Sequence, residues 1–213
     1  MPFDLLSRRG SRVAVLAVGI VLGALAPAQA FDTGLPPVTT GAVVSSAARP
    51  LAAWGDFCRR YPSECRVARS QSAQVTLTPQ LWDLVNSVNR KVNRSIEAVT
   101  DQEHWGVADS WDFPTDGMGD CEDFQLLKRK LLAEAGVSRR AMLMTVVLDD
   151  ADEGHAVLTI RTDRGDFVLD NKRDAVLPWS QTGYTYIKRE SQQATGWVAI
   201  DEGAAVMATA ARK

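Results

Sequence analysis

The chain has 213 residues, and 24 Lys and Arg stand against 26 Asp and Glu, giving a formal net charge of −2. This slightly acidic balance excludes the strongly basic surface that binds nucleic acid or an anionic membrane, so we expect neither as a partner. The length suits one domain preceded by a leader.

The first 30 residues have the three parts of a secretory signal peptide. Arginines precede the apolar run Val13–Leu25, and Ala28–Ala30 provides a cleavage site of small residues. The pair Arg8 and Arg9 also allows a twin-arginine signal, but glycine and serine follow it, which favours ordinary secretion. The run is too short to span a bilayer, and no later segment reaches the roughly 20 apolar residues that a spanning helix needs. We predict an exported protein with no membrane span after signal removal.

The segment after the leader has no hydrophobic periodicity. Residues 31–50 are rich in Pro, Gly, Ser, Thr and Ala, which predicts a flexible arm before a domain over residues 51–213. A helix is expected from Pro79, capped by Thr78, with an apolar face that extends to about Val99.

A second helix and a series of strands complete the expected domain. Residues 100–120 have a loop-like composition, the helix covers Cys121–Ala135, and Gly136 stops it. The strand-like runs that follow are Ala141–Leu148, His155–Ile160, Phe167–Leu169, Tyr184–Lys188 and Trp197–Ile200. Helices followed by antiparallel strands predict an α+β fold.

Two of the three cysteines can pair with each other. Cys58 and Cys65 flank Pro62, which interrupts any helix between them, so a short bent loop can bring the sulfurs together. In an exported protein we expect a disulfide here, although two buried free thiols remain an alternative. Pairing these two leaves Cys121 as the odd thiol, which is typical of a functional cysteine.

Cys121 opens a helix among three carboxylates, Asp120, Glu122 and Asp123. A helix N-terminus stabilises a thiolate, whereas flanking acids oppose it, so a bound cation would resolve the conflict. The acids offer the oxygen ligands that calcium prefers, but they also suit a helix cap and first turn. Both readings remain open on these residues alone.

His155 and Asp170 lie on consecutive strands of one expected hairpin. A two-residue turn at Thr162 and Asp163 would place them directly opposite, and a four-residue loop closed by Arg161 and Asp166 would place them diagonally on one face. A three-residue loop would put them on opposite faces. Two of these three registers permit a carboxylate–imidazole hydrogen bond.

These residues predict a Cys-His-Asp triad. His155 would take the proton of Cys121, and Asp170 would orient the imidazole and stabilise its charge. The thiolate would attack a carbonyl, with the backbone N–H of Cys121 as an oxyanion donor. Release of the acyl group by water gives hydrolysis, and release by an amine gives transfer.

Five segments resemble the bacterial transglutaminase-like cysteine peptidases of the LapG type. They are Val88–Asn93, Asp109–Trp111, Gly119–Asp123 with Lys128 and Arg129 in the same helix, Gly154–Leu158, and Val168–Asn171. The resemblance implies a papain/transglutaminase-like α+β fold, in which the nucleophile opens a helix packed on an antiparallel sheet, and it places the triad on Cys121, His155 and Asp170. It also implies a calcium (Ca2+) site on Asp120, Glu122 and Asp123. Trp111, within one matching segment, is a candidate substrate-binding residue.

The same resemblance implies a biological setting. Members of the family are periplasmic proteases that cleave surface adhesins, and an inner-membrane receptor for cyclic di-GMP controls them. We therefore expect a periplasmic, calcium-dependent endopeptidase that acts on an adhesin or another exported protein. A transamidase with the same triad and a non-catalytic binding module on the same fold are the alternatives.

Overall fold

The computed structural model of the chain describes residues 34–201. Its α-helices are α1 Ala52–Arg60, α2 Pro62–Cys65, α3 Pro79–Ser95, α4 Asp101–His104 and α5 Cys121–Glu134. Its strands are β1 Val44–Ala48, β2 Glu97–Ala98, β3 Met118–Gly119, β4 Met142–Leu148, β5 Gly154–Thr162, β6 Gly165–Leu169, β7 Leu177–Pro178, β8 Thr185–Glu190 and β9 Trp197–Ile200. Over this range no helix combines the length and the hydropathy needed to cross a membrane. The predicted signal peptide, residues 1–30, lies outside the described residues.

An antiparallel sheet with helices on one face confirms the α+β prediction. Seven strands among residues 34–201 join in the order β1-β9-β8-β4-β5-β6-β7, and β2 and β3 form a small parallel pair. The core between sheet and helices contains Phe57 of α1, Val85 of α3 and Leu126 of α5, packed with sheet residues such as Leu158 and Phe167. Burying these apolar faces against one another is the main stabilising contribution to such a two-layer domain.

Both principal helices begin at their predicted residues. The Oγ1 of Thr78 accepts a hydrogen bond from the backbone nitrogen of Leu81 at 3.1 Å, and Pro79 is the first residue of α3. α3 ends at Ser95 rather than near Val99, because the following residues turn extended to pair with β3. α5 begins at Cys121 and stops before Gly136, whose φ of +90° favours glycine.

The N-terminal part of the domain is more ordered than its composition indicates. Within the predicted flexible arm, Val44–Ala48 form β1, which pairs with β9 at the edge of the sheet. Backbone hydrogen bonding to β9 orders this segment, and its side chains are mostly exposed, so the sequence carries no strand periodicity. The boundaries drawn at residues 31, 50 and 51 otherwise stay predictions.

The predicted disulfide is confirmed. Cys58 in α1 and Cys65 at the end of α2 are bonded, with their Cα atoms 5.6 Å apart. Pro62 is the first residue of α2, so it separates two short helices and creates the bend that brings the sulfurs together. Cys121 is the free cysteine of the chain.

Candidate active site

Cys121 is the first residue of α5, and its thiol lies against the beginning of β5. The backbone nitrogen of Ala156 donates to its Sγ at 3.3 Å, and the thiol donates to Oε2 of Glu122 at 3.1 Å. Burial, together with the negative charge of Glu122, raises the pKa of Cys121 well above its ordinary value. The helix N-terminus alone therefore does not produce a thiolate, and activation requires an additional positive charge nearby.

His155 and Asp170 form a buried pair. The Nε2 of His155 lies 2.9 Å from Oδ1 of Asp170, and both side chains are almost fully buried. Burial raises the pKa of Asp170, but hydrogen bonds from His155, from Tyr184 and from the backbone of Lys172 outweigh it, so the pKa is lowered. Asp170 is thus held as a carboxylate beside the imidazole.

The hairpin register decides how these two residues meet. Arg161 pairs with Asp166 and Thr162 pairs with Gly165, which leaves Asp163 and Arg164 as the turn. The turn has two residues rather than the four of the predicted loop, but its register is the diagonal one of the three that the sequence allowed, and it keeps the two side chains on one face. The prediction that they share a face is confirmed, whereas the directly opposite register is not formed.

Tyr184 is a third member of this buried group, and sequence reasoning missed it. Its hydroxyl donates to Oδ2 of Asp170 at 2.7 Å, and its ring meets the imidazole of His155 edge-on with centroids 5.7 Å apart. Burial and the neighbouring carboxylate raise the pKa of Tyr184, so its hydroxyl stays protonated as a donor. Nothing in a lone tyrosine just before a strand indicates this contact, because Asp170 follows β6 and Tyr184 precedes β8, two strands that are not neighbours in the sheet.

The acidic residues near Cys121 form a larger cluster than the sequence indicated. Among the described residues, ligand atoms within 4.8 Å of one another occur in three overlapping groups: Asp120 with Cys121 and Glu122, Asp101 with Asp109 and Glu122, and Asp101 with Asp120 and Asp123. The three predicted metal residues do not form one group by themselves. Asp101 and Asp109, from α4 and the loop after it, connect them.

The contacts of Asp120 distinguish between the two readings of this cluster. Asp120 is the N-cap residue of α5, yet its side chain makes no capping hydrogen bond. Its Oδ2 instead accepts from the backbone nitrogen of Asp101 at 3.3 Å, and its Oδ1 is buried without a hydrogen-bond partner among residues 34–201. A buried carboxylate oxygen without a partner carries a desolvation cost that a cation would remove.

Burial and the repulsion between neighbouring carboxylates raise the pKa of four acids in the cluster. Burial and the charge of Asp120 raise the pKa of Glu122 well above its ordinary value, and burial raises the pKa of Asp123 to about 8. Burial also raises the pKa of Asp101 and of Asp109. The donor set consists of carboxylate oxygens, most of them buried or half-buried, which is the ligand type that calcium prefers.

Most of the chain matches the model of a known protein family. The family described as bacterial transglutaminase-like cysteine proteinases matches residues 43–205, which include α5, the hairpin of β5 and β6, and the acidic cluster. The chain belongs to this family. A comparison with curated proteins gives no significant match.

Solved structures of LapG from Legionella pneumophila are similar to this chain. The calcium-bound structure is 20% identical with a TM-score of 0.49, and the alignment covers 65% of this chain and 83% of that one. The EGTA-treated structure is 23% identical with a TM-score of 0.49, covering 59% of this chain and 70% of that one. A further LapG structure is 22% identical with a TM-score of 0.48, covering 64% and 77%.

Gly119, which opens the Gly119–Asp123 segment of this cysteine proteinase, lies where no side chain fits. A Cβ on Gly119 would lie 2.8 Å from Cβ of Asp123, closer than real side chains approach. Asp123 in turn accepts from the backbone nitrogen of Asp112 at 2.8 Å. Asp123 therefore ties the loop before α5 to the helix, in addition to facing the acidic cluster.

Trp111 lies in the core. Its side chain is 2% exposed, and its ring meets that of Trp197 edge-on with centroids 6.1 Å apart. This burial corrects the expectation that Trp111 contacts substrate, because a core indole offers no surface to a bound peptide. Its place beside Asp109 and Asp112 gives it a packing role beneath the acidic loop.

Proposed function

We propose that this protein is a periplasmic, calcium-dependent cysteine endopeptidase with Cys121 as nucleophile, His155 as general base and Asp170 as the orienting acid. Two contacts carry the proposal. The Nε2 of His155 lies 2.9 Å from Oδ1 of Asp170, and the backbone nitrogen of Ala156, the residue after His155, donates to the thiol of Cys121. The three residue types have the complementary chemistry of a catalytic triad, and these two contacts support assigning them together.

The hydrogen bonds support a distinct role for each ring nitrogen of His155 in this proposal. Because Nε2 of His155 is bonded to Asp170, the other ring nitrogen, Nδ1, accepts the thiol proton. The thiolate of Cys121 attacks the scissile carbonyl carbon, and the backbone N–H at the start of α5 stabilises the oxyanion. The imidazolium returns its proton to the departing amine, and water then hydrolyses the thioester.

The acidic cluster is proposed to hold calcium. Asp120, Glu122 and Asp123 would bind it together with Asp101 and Asp109, and the partnerless buried oxygen of Asp120 supports the assignment. Calcium would supply positive charge beside a thiol whose pKa the neighbouring carboxylate of Glu122 raises. Glu122 contacts the thiol directly, so neutralising this acid bears on the reactivity of Cys121.

Substrate, location and regulation follow from the family resemblance and the leader. We propose that residues 1–30 direct export to the periplasm, and that the substrate is a surface adhesin or another exported protein. An inner-membrane receptor for cyclic di-GMP is the proposed regulatory partner. Family membership supports a protein substrate.

The test is to incubate the mature protein with periplasmic and outer-membrane extracts and to identify new protein termini by mass spectrometry. Wild type, Cys121→Ala and His155→Ala are compared with calcium and with EGTA. Cuts that require Cys121, His155 and calcium support the proposal. Lysine–glutamine crosslinks in place of cuts would establish a transamidase, and cuts that persist in Cys121→Ala would contradict the assigned nucleophile.

A second test needs no substrate. Iodoacetamide labels an activated thiolate rapidly below pH 7, so Cys121 should react fast in wild type and slowly in His155→Ala. Slow labelling of the wild type with calcium present would favour a non-catalytic binding module.

A further inference from the structure

Two asparagines of α3, Asn89 and Asn93, stand one helical turn apart on the side of the helix that faces the end of β6. Asn89 is fully buried, an unusual position for an amide side chain. Asn86, one turn earlier, differs from them, because its Nδ2 donates to the backbone oxygen of Trp82 within the same helix at 2.8 Å. The side chain of Asn86 is therefore satisfied within its own helix, whereas the partners of Asn89 and Asn93 lie elsewhere in the fold.

Both amides bind the backbone of Asp170. The Oδ1 of Asn89 accepts from the nitrogen of Asp170 at 3.2 Å, and Nδ2 of Asn93 donates to its carbonyl oxygen at 3.0 Å. Leu169 is the last residue of β6, so Asp170 lies beyond the strand, and the two amides of α3 bind its backbone N–H and C=O there. The peptide groups on both sides of the Asp170 side chain are thus fixed from α3.

The same asparagines also hold the loop that follows. Nδ2 of Asn89 donates to the carbonyl oxygens of Arg173 at 2.9 Å and Asp174 at 3.1 Å, and Nδ2 of Asn93 donates to the Arg173 oxygen at 3.1 Å. The loop is thereby closed against α3 at its beginning and at its end. A buried backbone group without such a partner would carry the cost of an unmade hydrogen bond.

We propose that Asn89 and Asn93 are positioning residues for the catalytic acid, and that they act through the backbone of Asp170 on the geometry of His155. The inference rests on the proposed Cys-His-Asp chemistry. The carboxylate of Asp170 reaches His155 from a residue outside the sheet ladder, so its direction depends on the peptide groups that carry it. Loss of either amide frees those groups and weakens the contact that orients the imidazole.

The experiment uses Asn89→Leu, which keeps the branched shape of the side chain, and Asn93→Ala, which favours helix formation and sits at a half-buried position. Asn86→Leu is the matched control, because the side chain of Asn86 donates to the backbone of its own helix, at Trp82, and not to the Asp170 loop. Each variant of the full mature protein is measured with calcium present for melting temperature and for iodoacetamide labelling of Cys121 as a function of pH.

We expect labelling at neutral pH to fall about 10-fold to 100-fold in Asn89→Leu and Asn93→Ala, the size of loss typical of a small displacement of a catalytic group. The midpoint of the labelling curve should move to higher pH, because the thiolate loses an oriented imidazolium. Asn86→Leu should keep the wild-type rate and midpoint. A purely structural role would lower the melting temperature of the asparagine variants and leave the midpoint unchanged.

Nitrogen NMR of the imidazole gives a direct second readout. The chain has two histidines, so ¹⁵N-labelled histidine yields two assignable rings. In wild type the neutral His155 ring should carry its proton on Nε2, facing Asp170, and this tautomer should lose population in both variants. Folded variants with wild-type labelling and tautomer would overturn the proposal, as would an unfolded Asn93→Ala, which would make the amide a folding requirement.

The failure of this inference is distinguishable from failure of the proposed function. If His155→Ala labels as fast as wild type, the triad itself is refuted. If His155→Ala labels slowly and the two asparagine variants label at the wild-type rate, the triad stands and the positioning role is refuted.

Discussion

Replacing Asp170 by Asn separates its orienting role from its charge. The backbone nitrogen of Lys172 donates to Oδ1 of Asp170 at 3.0 Å, the same oxygen that Nε2 of His155 contacts. The hydroxyl of Tyr184 lies at the other oxygen. In Asp170→Asn the amide oxygen must face the Lys172 N–H, so the amide nitrogen takes the place beside Tyr184, whose hydroxyl oxygen can accept from it.

The imidazole would therefore keep its orientation in Asp170→Asn and lose only the negative charge beside it. A hydrogen bond to a charged group contributes roughly 1–1.5 kcal/mol more free energy than a neutral one. We therefore expect the rates of Cys121 labelling and of proteolysis to fall about 10-fold in Asp170→Asn. Asp170→Ala removes the acceptor as well, and the loss of the orienting acid of a triad costs on the order of 10⁴-fold. The test is therefore the ratio of the reaction rates of Asp170→Asn and Asp170→Ala.

The assay is iodoacetamide labelling of Cys121 at neutral pH with calcium, followed by proteolysis of whichever substrate the extract experiment reveals. Melting temperatures check that both variants are folded. If Asp170→Asn loses as much as Asp170→Ala, the Lys172 N–H does not fix the amide and the reasoning is wrong. If Asp170→Ala stays within about threefold of wild type, Asp170 has no part in the chemistry.

Three further outcomes are expected. Opening the Cys58–Cys65 disulfide, which closes a loop of sequence separation 7, should cost about 2–3 kcal/mol. The melting temperature should then fall by about 5–10 °C, and an unchanged melt would count against its stabilising role. In Asp101→Asn, the calcium concentration that produces a given rise in melting temperature should increase about tenfold. A titration curve equal to that of wild type would remove Asp101 from the site. Burial lowers the pKa of Lys128 to about 7, so its charged form destabilises the folded state fully below pH 7 and not at all above its unfolded pKa of about 10.5. Lys128→Met should therefore be more stable than wild type at about pH 6, and the difference should vanish as the pH rises above about 10.5, with the exposed neighbour Lys130→Met as the control.

The sequence alone determined the features that depend on local periodicity and chemistry. The cap at Thr78, the proline that opens α3 and the glycine that follows α5 each act within one or two turns of helix. The spacing of Cys58 and Cys65 around a proline likewise limits the chain to a short bend. The side-chain alternation of a strand limited His155 and Asp170 to a small set of registers.

Only the tertiary structure decided which groups meet across the chain. Asp101 and Asp109 join the acids at the start of α5 through the docking of α4. Tyr184 reaches Asp170 from the residue before β8, a strand that does not pair with β6, so neither contact leaves a mark in local sequence. Trp111 reads as a candidate substrate contact until its burial is known, because an aromatic residue in a polar loop suits either role. The amides of α3 that hold Asp170 lie off the apolar stripe, yet Asn89 is buried and Asn93 half-buried, since the turn beyond β6 covers them. Helix caps and strand alternation are set within a few residues, whereas the site is assembled by long-range packing that no short segment encodes.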